Sequence, residues 1–256
     1  MNAIRAEFRK VLTTKLALWL LAFSVAFTAL NVMLMVYLVP TNARVADSAQ
    51  LLQVPAYVNS IVASCANASV FVLIIGIIGM TGEYRHMTIT ATFLASPRRA
   101  PVMIAKAVTY AVIGAFFGVV NFLVSFSLAM ITLAGKDHAA IVPSESLQTL
   151  GGVILGFAIY AILGVAVGSL IRNQVAALII ALVFVFLIQP LLSAFVDWTT
   201  AWLPGGALDA VMNFTYRQGE ATTGLLSAWA GGLLLIGYAI VLGAIASITT
   251  LKRDIT

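Results

Sequence analysis

Residues 16–39 contain no charged side chain. Wound as a helix at about 1.5 Å per residue, that run reaches about 36 Å, enough to cross a hydrocarbon core of about 30 Å with some tilt. Five further apolar runs follow, at 54–81, 107–134, 147–171, 175–196 and 225–251. Backbone groups in lipid must pair within their own segment, so runs of this kind are restricted to helices. The sequence therefore predicts an all-α, polytopic membrane protein with six transmembrane helices, read as a single domain over 1–256. Composition agrees: 62% of residues are hydrophobic and 9% charged, against about 45–50% and 25% in soluble domains.

Little chain remains for anything else. The longest polar stretch, 82–106, is shorter than the roughly 40 residues below which a domain seldom folds unaided. No soluble catalytic domain is expected. The first apolar run exceeds the roughly 7–15 residues of a signal-peptide core and lacks a clear small-x-small cleavage site, so it is read as a retained span. Cys65, the single cysteine, falls inside the second span and is read as a packing residue.

Basic residues resist translocation and mark cytoplasmic loops. Assigned to alternate sides of six spans, 11 of the 14 Lys and Arg residues fall together: Arg5, Arg9, Lys10, Lys15, Arg85, Arg98, Arg99, Lys106, Arg172, Lys252 and Arg253. Only Arg44, Lys136 and Arg217 fall opposite. The imbalance predicts that both termini and the 82–106 connector lie in the cytoplasm, in a multi-pass protein of the cytoplasmic membrane. Trp198 and Trp202 suit an interfacial belt on the outer face. The net charge of +5 is explained by anionic inner-leaflet lipid and calls for no nucleic acid.

Before the first span, Ile4, Phe8, Val11 and Leu12 recur at helical spacing while Arg5, Glu7, Arg9 and Lys10 fill the other face. Residues 1–15 read either as an amphipathic helix on the inner surface or as a simple basic anchor that sets topology. In the connector, Glu83 ends the second span and is followed by Tyr84, Arg85 and His86; Ile89 and Phe93 share a helical face, Pro97 stops that helix and Pro101 starts the next. The apolar pair, flanked by Arg98 and Arg99, is read as filling a groove on a partner in preference to a merely solvated loop. His86 has no second His or Cys nearby, so it reads as a surface hydrogen-bonding residue and no metal is expected.

Gly152, Gly156, Tyr160, Gly164 and Gly168 line one face of the fourth span, and Gly114 and Gly118 do the same in the third; both stripes predict close helix packing. Asn31, Asn59, Asn67, Asn121 and Gln189 are the intramembrane polar residues, each expected to bond across helices. Asn67 and Gln189, with Phe184 and Phe186, are also candidates to line a pathway. Pro190 is expected to kink the fifth span. Residues 197–217, with Trp198, Trp202 and the run from Leu203 to Ala207, are too short and broken to cross again. They read as an outer re-entrant segment of half-helices, with an ordinary interfacial loop as the alternative.

No G-x-x-x-x-G-K-[ST], H-E-x-x-H or G-x-S-x-G pattern occurs, so neither a nucleotide site nor hydrolase chemistry is expected in this chain. No catalytic residue and no cofactor is assigned. The absence of charge deep in the spans argues against a proton-coupled pump.

The basic amphipathic start, six spans with both ends on one side, the Gly82-Glu83-Tyr84-Arg85-His86 segment running through Thr88, Leu94, Pro97 and Lys106, and the Leu203-Pro204-Gly205-Gly206-Ala207 segment together resemble ABC exporter permeases of the type-two class. The likeness covers nearly the whole chain and is similar to the drug-efflux permeases of actinobacteria, which commonly carry Gly where this chain has Met87. The resemblance implies a transport subunit that moves hydrophobic or amphipathic cargo, drug or lipid-like, outward. It also implies partners: a second permease copy or homologue, and separately encoded ATPase subunits that bind ATP and Mg. By position, 83–93 corresponds to the coupling helix, 172–174 to a smaller contact at Arg172, and 4–15 to the elbow helix. A passive channel or scaffold, and less so an intramembrane enzyme, are the alternatives.

Overall fold

Thr14 is the first break in the helical backbone. In the computed structural model, which describes residues 2–38, 52, 54–86, 99–135, 146–196, 198–217, 220–221 and 224–249, helix α1 (Asn2–Thr13) ends where Thr14 turns extended (φ −93°, ψ 130°). The Thr14 hydroxyl folds back onto the Val11 carbonyl at 2.9 Å. The chain restarts at once as α2 (Lys15–Leu38), the first span.

The second span, α3 (Pro55–Arg85), opens on Pro55, whose missing N–H costs nothing in a first turn. Its middle tightens into a 3-10 turn at Ser64–Ala68. Just before that turn the Ile61 and Val62 carbonyls accept from Ser125 Oγ at 3.3 and 2.7 Å, so α4 (Arg99–Ala134) compensates for the local change of winding. The fourth span is α5 (Ser146–Leu170). The fifth, α6 (Gln174–Phe195), is capped by Asn173, whose side-chain oxygen accepts from the Val175 and Ala176 amides at 3.0 and 3.1 Å. Its expected disturbance at Pro190 takes the form of a wide π turn at Phe184–Ile188. Proline supplies no N–H and crowds the preceding turn, and the ladder absorbs this by letting the Gln189 amide reach back five residues to Phe184. Two short helices follow, α7 (Thr199–Trp202) and α8 (Pro204–Val211), then a two-residue antiparallel ladder of β1 (Tyr216–Arg217) and β2 (Glu220–Ala221), and the sixth span α9 (Ala228–Thr249).

The protein is all-α and multi-pass: among the described residues six helices are long and apolar enough to cross a membrane. Two helix ends lie beyond the apolar runs in one region. The helix of the second span runs on to Arg85, two residues past Glu83, and that of the third begins at Arg99, with Pro101 in its first turn as expected and ahead of the apolar run from 107. Hydropathy stops at the first charges, whereas the helices continue through Glu83 and Lys106 because those charges find partners.

α3 and α5 form the hub. α3 buries 78% of its most apolar stretch and α5 61%, against 17% for α6, which lies at the periphery. Gly76 and Gly164 permit the hub contact: a Cβ on Gly76 would strike the Ala161 carbonyl, and one on Gly164 the Leu73 carbonyl. The glycine stripe of α5 thus packs as expected but divides its work, Gly164 and Gly168 meeting α3 while Gly152 and Gly156 meet α8.

Interhelical hydrogen bonds stitch the bundle. Thr28 donates to Asn121 Oδ1 at 2.7 Å and Asn121 Nδ2 to Ser24 Oγ at 3.0 Å, joining α2 to α4. Asn67 donates to Asn31 at 2.9 Å, joining α3 to α2, and Thr149 to Asn59 at 3.0 Å, joining α5 to α3. Bonds of this kind contribute on average about 0.6 kcal/mol each, so they set rotation and register while close packing supplies most of the cohesion.

Candidate functional site

α1 has to bury one stripe, and the stripe it buries is not purely apolar. Val11 is buried and Ile4 and Phe8 are partly so, but Leu12 is 77% exposed while Glu7 is 4% exposed. The expectation that Glu7 shares the solvated face with Arg5 and Arg9 is corrected here. At about 100° per residue, Glu7 lies within one step of Val11 and Ile4 around the helix, and Glu7 turns inward because two ammonium groups wait for it.

Lys106 is the first of these. It stands well inside α4 because the helix begins before Pro101, and it is 1% exposed, not a solvated topology marker in a loop. Its Nζ donates to Glu7 Oε2 at 2.6 Å, Glu83 Oε1 at 3.0 Å and the Gly79 carbonyl at 3.3 Å, and it lies 5.8 Å from the centre of the Tyr110 ring. Gly79 is glycine because a Cβ there would collide with the Tyr110 hydroxyl. Lys10 is the second ammonium. Half-exposed, it donates to Glu7 Oε1 at 2.6 Å and Glu83 Oε1 at 2.7 Å.

Two carboxylates and two ammoniums therefore neutralise one another where α1, α3 and α4 meet. Each buried charge of this cluster has a partner, which is the condition under which burial is tolerable. Burial by itself would raise the Glu7 pKa, but the Lys106 charge and the hydrogen bonds from Lys10 and Lys106 outweigh it, and the carboxyl sits below its ordinary 4.5. Burial by itself would lower the Lys10 pKa, yet the bonds it donates to Glu7 and Glu83 hold it above 10.5. The cluster divides evenly: Glu7 with Lys10 on α1, and Glu83 with Lys106 between α3 and α4. α1 can separate from the bundle without stranding a net charge.

The same end of α3 also touches the turn between α5 and α6. Arg85 Nη1 reaches Gln174 Oε1 at 3.5 Å, and the Arg172 guanidinium lies 6.0 Å from the centre of the Tyr84 ring. Four segments thus converge at one end of the bundle. Glu83 is turned inward, Tyr84 is half-buried, and Arg85, His86 and Arg172 border the surface. Ile89, Phe93 and Arg98 lie outside the described residues.

The four pathway candidates have separate surroundings. Asn67 bonds to α2 through Asn31, whereas Gln189 is buried and accepts from the Gly205 amide at 2.7 Å, holding the start of α8. Phe184 is half-buried and Phe186 is 57% exposed on the outside of α6. In the 197–217 segment, α8 packs on α9 and α5 with Gly206 to Val211 buried, and Trp198 and Trp202 stand exposed. Among the described residues no three His, Cys, Asp or Glu side chains gather as metal ligands.

Sequence reasoning passed over Lys106, Lys10, Gly79 and Tyr110 as partners of Glu7 and Glu83. A signal was present: of nine acidic residues, only Glu7, Glu83 and Asp254 fall on the basic side of the alternation. Of these, Glu7 and Glu83 lie among the described residues, and both are paired. No protein-family model matches this chain, and no curated protein matches it.

Proposed function

We propose that this chain is the transmembrane subunit of an ATP-driven exporter of the ABC type-two class, embedded in the cytoplasmic membrane with both termini inside. It pairs with a second copy or homologue, and separately encoded ATPase subunits hold the ATP and Mg. Its cargo is hydrophobic or amphipathic.

One observation carries this reading. Glu7, Lys10, Glu83 and Lys106 tie α1 to the last turn of α3 and the first turns of α4, the two helices that flank the 87–98 connector. Tyr84 and Arg85 extend the tie to the Arg172 turn. A push delivered to the connector is thereby shared among the surface helix and several spans, which suits a bundle driven by an external engine. A passive channel needs no such coupling. The excess of Lys and Arg on this end supports its cytoplasmic orientation.

The test is copurification from the native membrane with nucleotide present. The wild-type chain is expected to bring down an ATPase subunit, and Ile89→Asp with Phe93→Asp to lose it while still inserting. Capture undiminished by the double substitution, or ATP-independent solute movement by the purified chain alone, overturns the proposal.

A further inference from the structure

The charges of α1 fall into two groups. Glu7 and Lys10 are consumed by the cluster, whereas Arg5 and Arg9 stand exposed, one turn apart, with no carboxylate within salt-bridge reach among the described residues. Like charges four apart on a helix repel, and an anion from outside the chain would relieve that repulsion. Arg5, Ala6, Arg9, Lys10 and Thr13, all on α1, border a shallow hollow that is open to the surroundings and walled by this one helix. The Lys10 ammonium is already shared by two carboxylates. What the hollow offers is therefore two guanidinium forks, the geometry that suits phosphate oxygens.

Position selects the source of that phosphate. One extended residue, Thr14, separates α1 from the first span, so the hollow lies on the helix joined directly to one end of that span, and the ends of spans are where headgroups are met. Leu12 is 77% exposed beside the two arginines on α1. The span that follows exposes Leu16, Trp19 and Phe23 at three- and four-residue spacing, with the Trp19 and Phe23 rings 6.3 Å apart. A cationic hollow continued by apolar surface matches a molecule with a phosphate at one end and an acyl chain at the other.

We infer that Arg5 and Arg9 form a binding site for the phosphate of an anionic glycerophospholipid whose acyl chain lies along Leu16, Trp19 and Phe23. The lipid holds the face of α1 that the cluster leaves free, and its occupancy steadies α1 against α4. The site requires no ATPase partner, so it stands or falls independently of the transport reading.

The test uses the full chain in nanodiscs of equimolar dioleoyl phosphatidylglycerol and dioleoyl phosphatidylcholine, with lipid retained after extraction read by native mass spectrometry. Preferential retention of phosphatidylglycerol is expected. It should fall about fivefold for each arginine removed in Arg5→Gln and Arg9→Gln, and fall less in Arg5→Lys with Arg9→Lys, which keep the charge but lose the fork. Equal retention by wild type and the double glutamine variant overturns the site; displacement by inorganic phosphate beyond that caused by chloride at equal ionic strength does so too, since it would mark a soluble-anion site. If the glutamine variant does not fold, wild type alone decides: retention must weaken as salt rises, and salt-independent retention overturns the proposal.

Discussion

Lys106 reaches Glu7 at 2.6 Å across 99 positions of sequence, and the ammonium that makes the contact is 1% exposed. A lysine near the start of a membrane helix ordinarily extends its long side chain toward water. Here it turns inward because Glu7, Glu83, the Gly79 carbonyl and the Tyr110 ring together replace the water it gives up. The pair fixes α1 to α4 more specifically than an apolar contact would, since a shifted helix would lose the bond from Lys106 to Glu7 and leave each half of the cluster with fewer partners.

That dependence sets the first prediction. Lys106→Met leaves Glu7 and Glu83 facing one another with only Lys10 between them, and breaking a buried pair in this way costs about 3–5 kcal/mol. Lys106→Met combined with Glu7→Gln removes one charge of each sign and should recover most of that loss. Thermal unfolding of the detergent-solubilised protein measures both; additive losses in the double variant would mean that the two residues are not coupled.

The second prediction concerns pH. The Glu7 pKa is depressed below 4.5, so its contribution is complete above that value and is lost only as pH falls through the lower folded value. The Lys10 pKa is raised above 10.5, so its contribution is complete below that value and is lost as pH rises through the higher one; being half-exposed, Lys10 contributes the smaller share. Hydrogen exchange in the amides of α1 should accordingly be flat with pH, after correction for intrinsic rates, between those limits. Loss of protection near pH 6 would contradict the assignment.

The third prediction contrasts two glycines. Gly164→Leu drives a side chain into the Leu73 carbonyl and should separate α3 from α5, seen as loss of a monodisperse peak in size-exclusion chromatography. Gly237→Ala in α9 meets open space and removes a flexible residue from a helix interior, so it should leave the protein unchanged or stabilise it by up to about 1 kcal/mol. A destabilising Gly237→Ala together with a tolerated Gly164→Leu would reverse the packing described for the hub.

Some of this was legible before any coordinates. Runs such as 16–39 and 175–196 declare their helices because lipid leaves the backbone no alternative. The stripe from Gly152 to Gly168 declared a packing face because small side chains have little other use there, but it did not say that half of it meets α3 and half α8. Asn67 and Gln189 were readable as bonding residues, yet their partners, Asn31 and Gly205, were not. The apolar runs stop at 81 and resume at 107 because hydropathy treats a charge as a boundary, and a paired charge is not one; Glu83 and Pro101, read as marking the helix ends, lie within two residues of them.

The sequence by itself determined the number of spans, the helical class and the concentration of basic residues on one side, since these follow from length, polarity and the rules of a low-dielectric solvent. Only the tertiary structure decided which charges are free and which are spent. Glu7, Lys10, Glu83 and Lys106 look like Arg5 and Arg9 when each is seen only beside its chain neighbours. The difference arises from helices distant in sequence meeting at one end of the bundle, where the electrostatic energy depends on separations of about 3 Å that no local pattern encodes.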